Sequence, residues 1–189
     1  MAYGEVLYSK ALKAFYKFKQ LHPQNNVNLA LHLFDTLVVP ILSYGSVVWA
    51  PIYAHKINVD NIMSVCDMSP IEKHNVKLCK YILGVHKSST NVAVRGELGR
   101  YPLLINILDH AVRYANRTDS LDNHTIVKLS CPDSFWSSCI NNIRTSFASF
   151  QGIKSNMKEK YKRRWNSFIN DCGDGDKLRT YSKYKSSFK

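Results

Sequence analysis

Apolar residues recur in steps of three and four along most of this chain, a spacing that predicts helices. In the opening segment Leu7, Ala11, Ala14, Phe15, Phe18 and Leu21 fall on one helical face and leave the lysines largely on the other. His22-Pro23 ends that helix. Asn28 is placed to cap a second one, whose apolar side continues through Leu29, Leu31, Phe34, Leu37 and Val38. Pro40 lacks a backbone donor and interrupts or kinks it. Ser69-Pro70-Ile71-Glu72 reads as a helix start: Ser69 is the cap, Pro70 takes the first helical position, and Glu72 completes a capping box. That helix runs through Leu83 and stops at Gly84. A short helix over 92–98 is followed by Gly99, and Pro102 opens a longer one carrying Leu104, Ile105, Leu108, Ala111, Val112 and Ala115. Cys131-Pro132-Asp133 is another stop-and-start signal, ahead of Phe135, Trp136, Ile140, Ile143 and Phe147. The last clear helix holds Met157, Tyr161, Trp165, Phe168 and Ile169 on one face. Period-two alternation is short throughout and no repeat is present. The expected fold is therefore all-α, an irregular bundle of six to seven helices with a basic C-terminal extension. Soft junctions are expected at 55–67 and 118–133, and a turn over 171–176, where two glycines and three aspartates cluster.

Composition fits a chain with a real core. Its 189 residues are 45% hydrophobic and 21% charged, in the ordinary globular range. The five cysteines are odd in number and irregularly spaced, which reads as reduced thiols rather than a disulfide framework. Met1 to Lys10 has no basic start followed by an apolar run, so no secretory leader is expected, and the sequons at Asn116 and Asn123 are read as accidental. The expected location is intracellular, in cytoplasm or nucleus. From Thr36 to Ala54 nineteen residues carry no charge, nominally enough to span a bilayer. Two prolines, a glycine and several hydroxyls interrupt the stretch, and a buried helix pair is the preferred reading over a membrane span.

Charge changes the picture more than composition does. Lys and Arg number 26 against 14 Asp and Glu, for a net charge of +12 and a pI near 9.5. That balance favours a polyanionic partner, nucleic acid or an acidic membrane surface. It is also uneven: 151–189 holds eleven Lys/Arg against four Asp/Glu, net +7. Three groups stand out as candidate phosphate contacts. Lys13 and Lys17, with Lys10, lie about one turn apart on the first helix. Lys158, Lys162, Arg163 and Arg164 form the densest run, with Tyr161 and Trp165 interleaved. Lys177, Arg179 and Lys183 lie near Tyr181 and Tyr184. Basic side chains supply affinity by releasing counterions, and aromatic rings can stack single-stranded bases. Tyr161 and Trp165 are better read as core residues, whereas the basic run is better read as phosphate contact than as a merely solvated face.

Catalytic signatures are weak. There is no Gly-x-Ser-x-Gly elbow. The Asp171–Asp176 run is too short for a calcium loop and lacks its closing glutamate. No cofactor, metal or small-molecule substrate is expected.

Four blocks, in order, resemble the segment that follows the polymerase palm in non-LTR (LINE-like) retrotransposon reverse transcriptases. The first is Leu33-Phe34-Asp35-Thr36-Leu37-Val38-Val39-Pro40-Ile41-Leu42-Ser43-Tyr44-Gly45-Ser46-Val47-Val48-Trp49. Ile71-Glu72-Lys73 with Cys79-Lys80-Tyr81-Ile82-Leu83-Gly84-Val85 is the second, and Asn91 to Leu103 the third. The closing block runs from Lys177 to Lys185. The resemblance implies a thumb-like helical region over 1–54, a post-polymerase helical region over 55–150 and a basic C-terminal helix and tail over 151–189. It implies RNA or an RNA–DNA hybrid as partner, gripped without sequence readout, and the polymerase palm as a second partner. Val47 stands where the family usually has glutamate. Nothing resembles the aromatic-Ala-Asp-Asp motif whose paired carboxylates would hold two metal ions, so a non-catalytic C-terminal fragment is expected rather than an enzyme. Cys66, His74 and Cys79 match the last three ligands of a knuckle-like zinc site in some relatives. A closed tetrahedral site needs a fourth, and Ile62 and Met63 stand where it would fall, so these cysteines are read as core. An inert remnant of such an element is the alternative to a binding module; membrane association through 36–54 is a weaker third.

Overall fold

Proline, glycine and buried aromatic residues divide the chain into short helices. The computed structural model describes residues 2–21, 26–121, 135–149, 152–171, 178–185 and 188, with side chains at all of these except 2–8, 21, 179 and 180. Among the described residues every regular element is a helix: α1 (Ala2–Leu21), α2 (Val27–Leu37), α3 (Val39–Leu42), α4 (Ser46–Tyr53), α5 (Ile62–Met68), α6 (Pro70–Ile82), α7 (Asn91–Leu98), α8 (Leu103–Asp119), α9 (Phe135–Ser146), α10 (Ile153–Asn170) and α11 (Arg179–Tyr184). The class is all-α, with more helices than the six to seven expected.

The extra helices have local causes. Pro40 sits in the first turn of α3, where a missing donor is tolerated, so it restarts the helix rather than merely bending it. Gly45, at φ +63°, then makes the left-handed turn that starts α4. The helix α5 arises within a stretch expected to be a soft junction. Asn58 Oδ1 accepts from the amides of Asp60 and Asn61, and Asn61 Oδ1 accepts from the Asn58 amide. These side chains build the turn that launches α5. Only Ile62 and Cys66 of α5 are buried, too few to declare a period in the sequence.

Two caps differ from expectation. The α2 cap is Asn26, whose Oδ1 accepts from the Leu29 amide at 3.0 Å; Asn28 lies inside the helix. Glu72 closes no capping box on Ser69. It points inward, 1% exposed, to an arginine arriving from α7. Phe168, expected on the core face of α10, is 47% exposed, while Met157, Tyr161, Trp165 and Ile169 are buried in steps of four.

The core is one cluster running from Ala11 to Phe188, continuous across the junctions near residues 54 and 150. Its axis is α8, which buries Leu103, Leu104, Ile105, Ile107, Leu108, Ala111, Val112 and Ala115 and packs against α4, α6, α9 and α10. Against α2 and α6, α1 lays Phe15 and Phe18, whose rings meet Phe34 and Tyr81 edge-on at 6.2–6.4 Å. Trp136 donates to the Val47 carbonyl at 2.9 Å and joins α9 to α4. No single described helix is long and apolar enough to cross a membrane. Val27–Leu42 with Ser46–Tyr53 reaches that length and composition only as a pair bent by 83°.

A charged knot ties the remaining helices. Arg95 of α7 has no solvent exposure. It donates to Asp67 at the end of α5, to Glu72 of α6 at 3.1 Å and to the Tyr161 hydroxyl of α10 at 3.3 Å. Glu72 also accepts from the Asn75 amide at 2.9 Å and the Leu104 amide at 3.0 Å. Burial pushes the Glu72 carboxyl up, opposed first by Arg95 and then by these donors. Burial works against the Arg95 charge too, but Tyr161, Glu72 and Asp67 outweigh it and hold the guanidinium firmly protonated. Arg100 extends the knot, donating to Asn75 and pairing with Asp35 of α2.

Arg95→Met, which strands Glu72 without its counter-charge, is expected to cost about 3–5 kcal/mol in urea unfolding. Arg95→Met/Glu72→Gln is expected to cost clearly less than the sum of the two single changes; additive losses would show that the pair is not coupled. Gly96 tests the packing beside it: a Cβ there would lie 2.4 Å from the Trp165 ring. Gly96→Ala is expected to destabilise by about 1–3 kcal/mol through overpacking, read as a lower urea midpoint.

Candidate nucleic-acid interface

The exposed face of α1 carries Lys10, Lys13 and Lys17, opposite buried Ala11, Phe15 and Phe18. A lysine here costs the core nothing, because the helical period keeps the two faces apart. On α10, Lys158 and Lys162 are half-buried and Arg163 and Arg164 exposed. Lys158 lies over the Tyr101 ring at 4.9 Å, and burial followed by the nearby Lys154 charge lowers its pKa. Arg163 pairs with Glu159 one turn back, and Arg164 donates to the Asp60 carbonyl at 3.3 Å. These two arginines are thus already engaged within the protein. Tyr161 and Trp165 are fully buried core residues, with Trp165 donating to the Val92 carbonyl at 2.9 Å.

In the third group, Lys183 is exposed on α11. Arg179 begins that helix, its side chain outside the described set, and Lys177 lies outside the described residues. The three groups do not converge through one helix pair: α1 packs on α2, α3 and α6, and α10 on α5, α8 and α11.

Cation type divides by role. The carboxylates of Asp35, Asp67, Glu72, Asp109, Asp119 and Glu159 each pair with an arginine. Lysine appears in one described ion pair, Lys185 with Glu97 at 3.6 Å. The planar guanidinium fork suits carboxylates held in fixed geometry, whereas an ammonium is a point charge on a flexible stem. Arg95, Arg100 and Arg144 thus join segments far apart in the chain, whereas Arg113 and Arg163 pair within their own helices on exposed faces. The surplus positive charge displayed outward is mainly lysine.

A fourth basic concentration lies outside the three groups expected from the sequence. Lys73, Lys77 and Lys80 lie on one face of α6, at steps of four and three. Packing brings Lys19 of α1 and Lys87 of the following loop beside them, and all five line a cleft of about 460 Å3. The α6 spacing was legible in the sequence, although Glu72 and His74 break up the local charge. The addition of Lys19 and Lys87 depends on tertiary packing.

Cys66 lies on α5, with His74 and Cys79 on α6, all three buried. Burial pushes both thiols up, Cys66 strongly and Cys79 to about 11, so they stay protonated at neutral pH as small apolar core groups. Among the described residues no group of three or more His, Cys, Asp or Glu is placed to hold a metal ion. No protein-family model, curated protein or solved structure matches the chain.

Buried His74 gives this helix a pH dependence. Burial, then the neighbouring Lys77 charge, lowers its pKa in the folded state. The folded protein thus binds the proton less readily than the unfolded chain does. Its contribution is present above the unfolded value of about 6.5 and lost as pH falls below it. The urea midpoint is expected to drop between pH 7.5 and 5.5, and to drop less in His74→Gln; an equal drop in both proteins would assign the effect elsewhere.

Proposed function

We propose that this chain is a non-catalytic helical module that grips RNA or an RNA–DNA hybrid by its phosphates without reading sequence, and that it derives from the thumb and post-polymerase region of a LINE-like reverse transcriptase. The observation that carries the binding reading is the division between arginine and lysine. Five of the described arginines pair with carboxylates, two of them on exposed helix faces, and the outward charge consists mainly of ammonium groups without acidic partners among the described residues. Such groups neutralise phosphates but form no planar fork against a base edge, so affinity comes from counterion release and carries little sequence information. Tyr161 and Trp165 are buried and do not stack bases, whereas Tyr184 beside Lys183 is 86% exposed and offers a stacking face that is tolerant of sequence. The four sequence blocks support the origin, and the missing palm motif supports the absence of catalysis. The proposed location is inside the cell, in cytoplasm or nucleus, where such a template is found.

The test is binding of the chain to structured RNA and to an RNA–DNA hybrid across a salt series, beside Lys13/Lys17/Lys158/Lys162→Gln. The wild-type chain is expected to bind unrelated sequences with similar affinity. Its log-log salt slope is expected to fall by about 3 in the variant, at roughly 0.7–0.9 for each lost contact. A folded chain that binds neither ligand at low salt would overturn the proposal and leave an inert remnant.

A further inference from the structure

The cleft between α1, α6 and the 83–90 loop is distinct from the surfaces expected from sequence, and its chemistry is more specific than a basic face. Five lysines line it: Lys19, Lys73, Lys77, Lys80 and Lys87. No arginine does. The two carboxylates in its wall, Asp67 and Glu72, are both held by Arg95 from the protein side. Glu72 is buried, Asp67 keeps 30% of its side chain exposed, and none of the five lysines pairs with a carboxylate among the described residues.

Several of these ammonium groups are held rather than free. Lys19 Nζ stands 4.5 Å from the Tyr81 ring centre and 5.5 Å from that of Phe15. Lys77 Nζ stands 5.7 Å from the same Phe15 ring and 5.9 Å from Tyr16. Aromatic faces attract cations, and here one buried ring gathers two from different helices. Lys80 Nζ donates to the Lys87 carbonyl at 2.8 Å, which fastens the loop to α6. Burial lowers the Lys80 pKa. Placing like charges on one helical face costs a few tenths of a kcal/mol for each adjacent pair. That repulsion is relieved when an anion sits among them.

The geometry points to this cleft as a site for a phosphate-dense anion, one carrying two or more linked phosphates. A volume near 460 Å3 lies within the range of about 300–1,000 Å3 typical of small-ligand sites. A single carboxylate engages one or two ammonium groups and leaves the rest repelling, and its best partner is an arginine fork, which the cleft lacks. A chain of phosphates presents several charged oxygens over a short length and meets several lysines at once. The source is either a free polyphosphate or the 5′-triphosphate end of an RNA. This assignment does not require the nucleic-acid reading, because Lys13, Lys17, Lys158 and Lys162 do not line the cleft.

The test is calorimetric titration of the whole chain with tripolyphosphate and with orthophosphate at low salt. Tripolyphosphate is expected to bind at one site at least about tenfold tighter than orthophosphate, a difference of about 1.4 kcal/mol. Lys77→Gln/Lys80→Gln is expected to weaken tripolyphosphate about tenfold or more. Lys77 and Lys80 also touch the fold, so Lys73→Gln/Lys87→Gln, at positions whose ammonium groups make no described contact, is measured beside it and is expected to weaken binding as well. Lys158→Gln/Lys162→Gln is expected to leave it unchanged. Equal affinity for the two anions, or wild-type affinity in folded cleft variants, would overturn the assignment. Oligonucleotides of one sequence ending in 5′-triphosphate or 5′-hydroxyl separate the sources. A preference for the triphosphate that disappears in the cleft variants identifies a chain end, whereas tripolyphosphate binding without that preference identifies a free anion. Loss of RNA binding with tripolyphosphate binding intact would remove the nucleic-acid reading and leave the cleft.

Discussion

A guanidinium without access to water must be paired within the protein, and Arg95 imposes that demand on helices α5, α6, α7 and α10 at once. An unpaired buried charge costs far more than any single contact supplies, so arrangements that fail to bring Asp67, Glu72 and Tyr161 together around it are strongly disfavoured. Such a knot contributes less to net stability than to choosing among packings, since well-packed apolar residues in its place could serve nearly as well. It also sets the rotation of α6. With Glu72, Asn75 and Cys79 turned inward, Lys73, Lys77 and Lys80 emerge on the side that faces α1 and the following loop.

The same economy of charge explains the character of the surface. Carboxylates are fewer than cations, and those that are described mostly engage arginine in a fixed geometry. Lysine, with a hydrated head and a long flexible stem, is left to the outside and to the rims of clefts. The protein therefore presents a field attractive to phosphates without the rigid planar donors that discriminate bases. Fold stability rests more on arginine and polyanion affinity more on lysine, with Lys77 and Lys80 of the cleft serving both.

Much of the fold was legible because helical periods of apolar residues are local. Ala11, Phe15 and Phe18, the Leu103–Ala115 stripe, and Met157, Tyr161, Trp165 and Ile169 announce their buried faces from spacing alone. Short helices were less legible. Seven residues with two buried positions, as in α5, hold no measurable period, and Pro40 is consistent with both a kink and a fresh start. Glu72 misled for a clear reason: a glutamate three residues after a serine fits a capping box, and only the arrival of Arg95 from twenty-three residues away turns it inward.

The sequence by itself determined the all-helical class, the faces of the long helices, the excess of positive charge and the core role of Tyr161 and Trp165. All of these follow from composition or from short-range periodicity, which survive without knowledge of partners. Tertiary structure alone decided which cations are spent inside the fold and which remain outside, and it alone brought Lys19 and Lys87 to the lysine face of α6. The physical reason is that electrostatic roles depend on distance and burial between residues far apart in the chain, and neither quantity is encoded in local spacing.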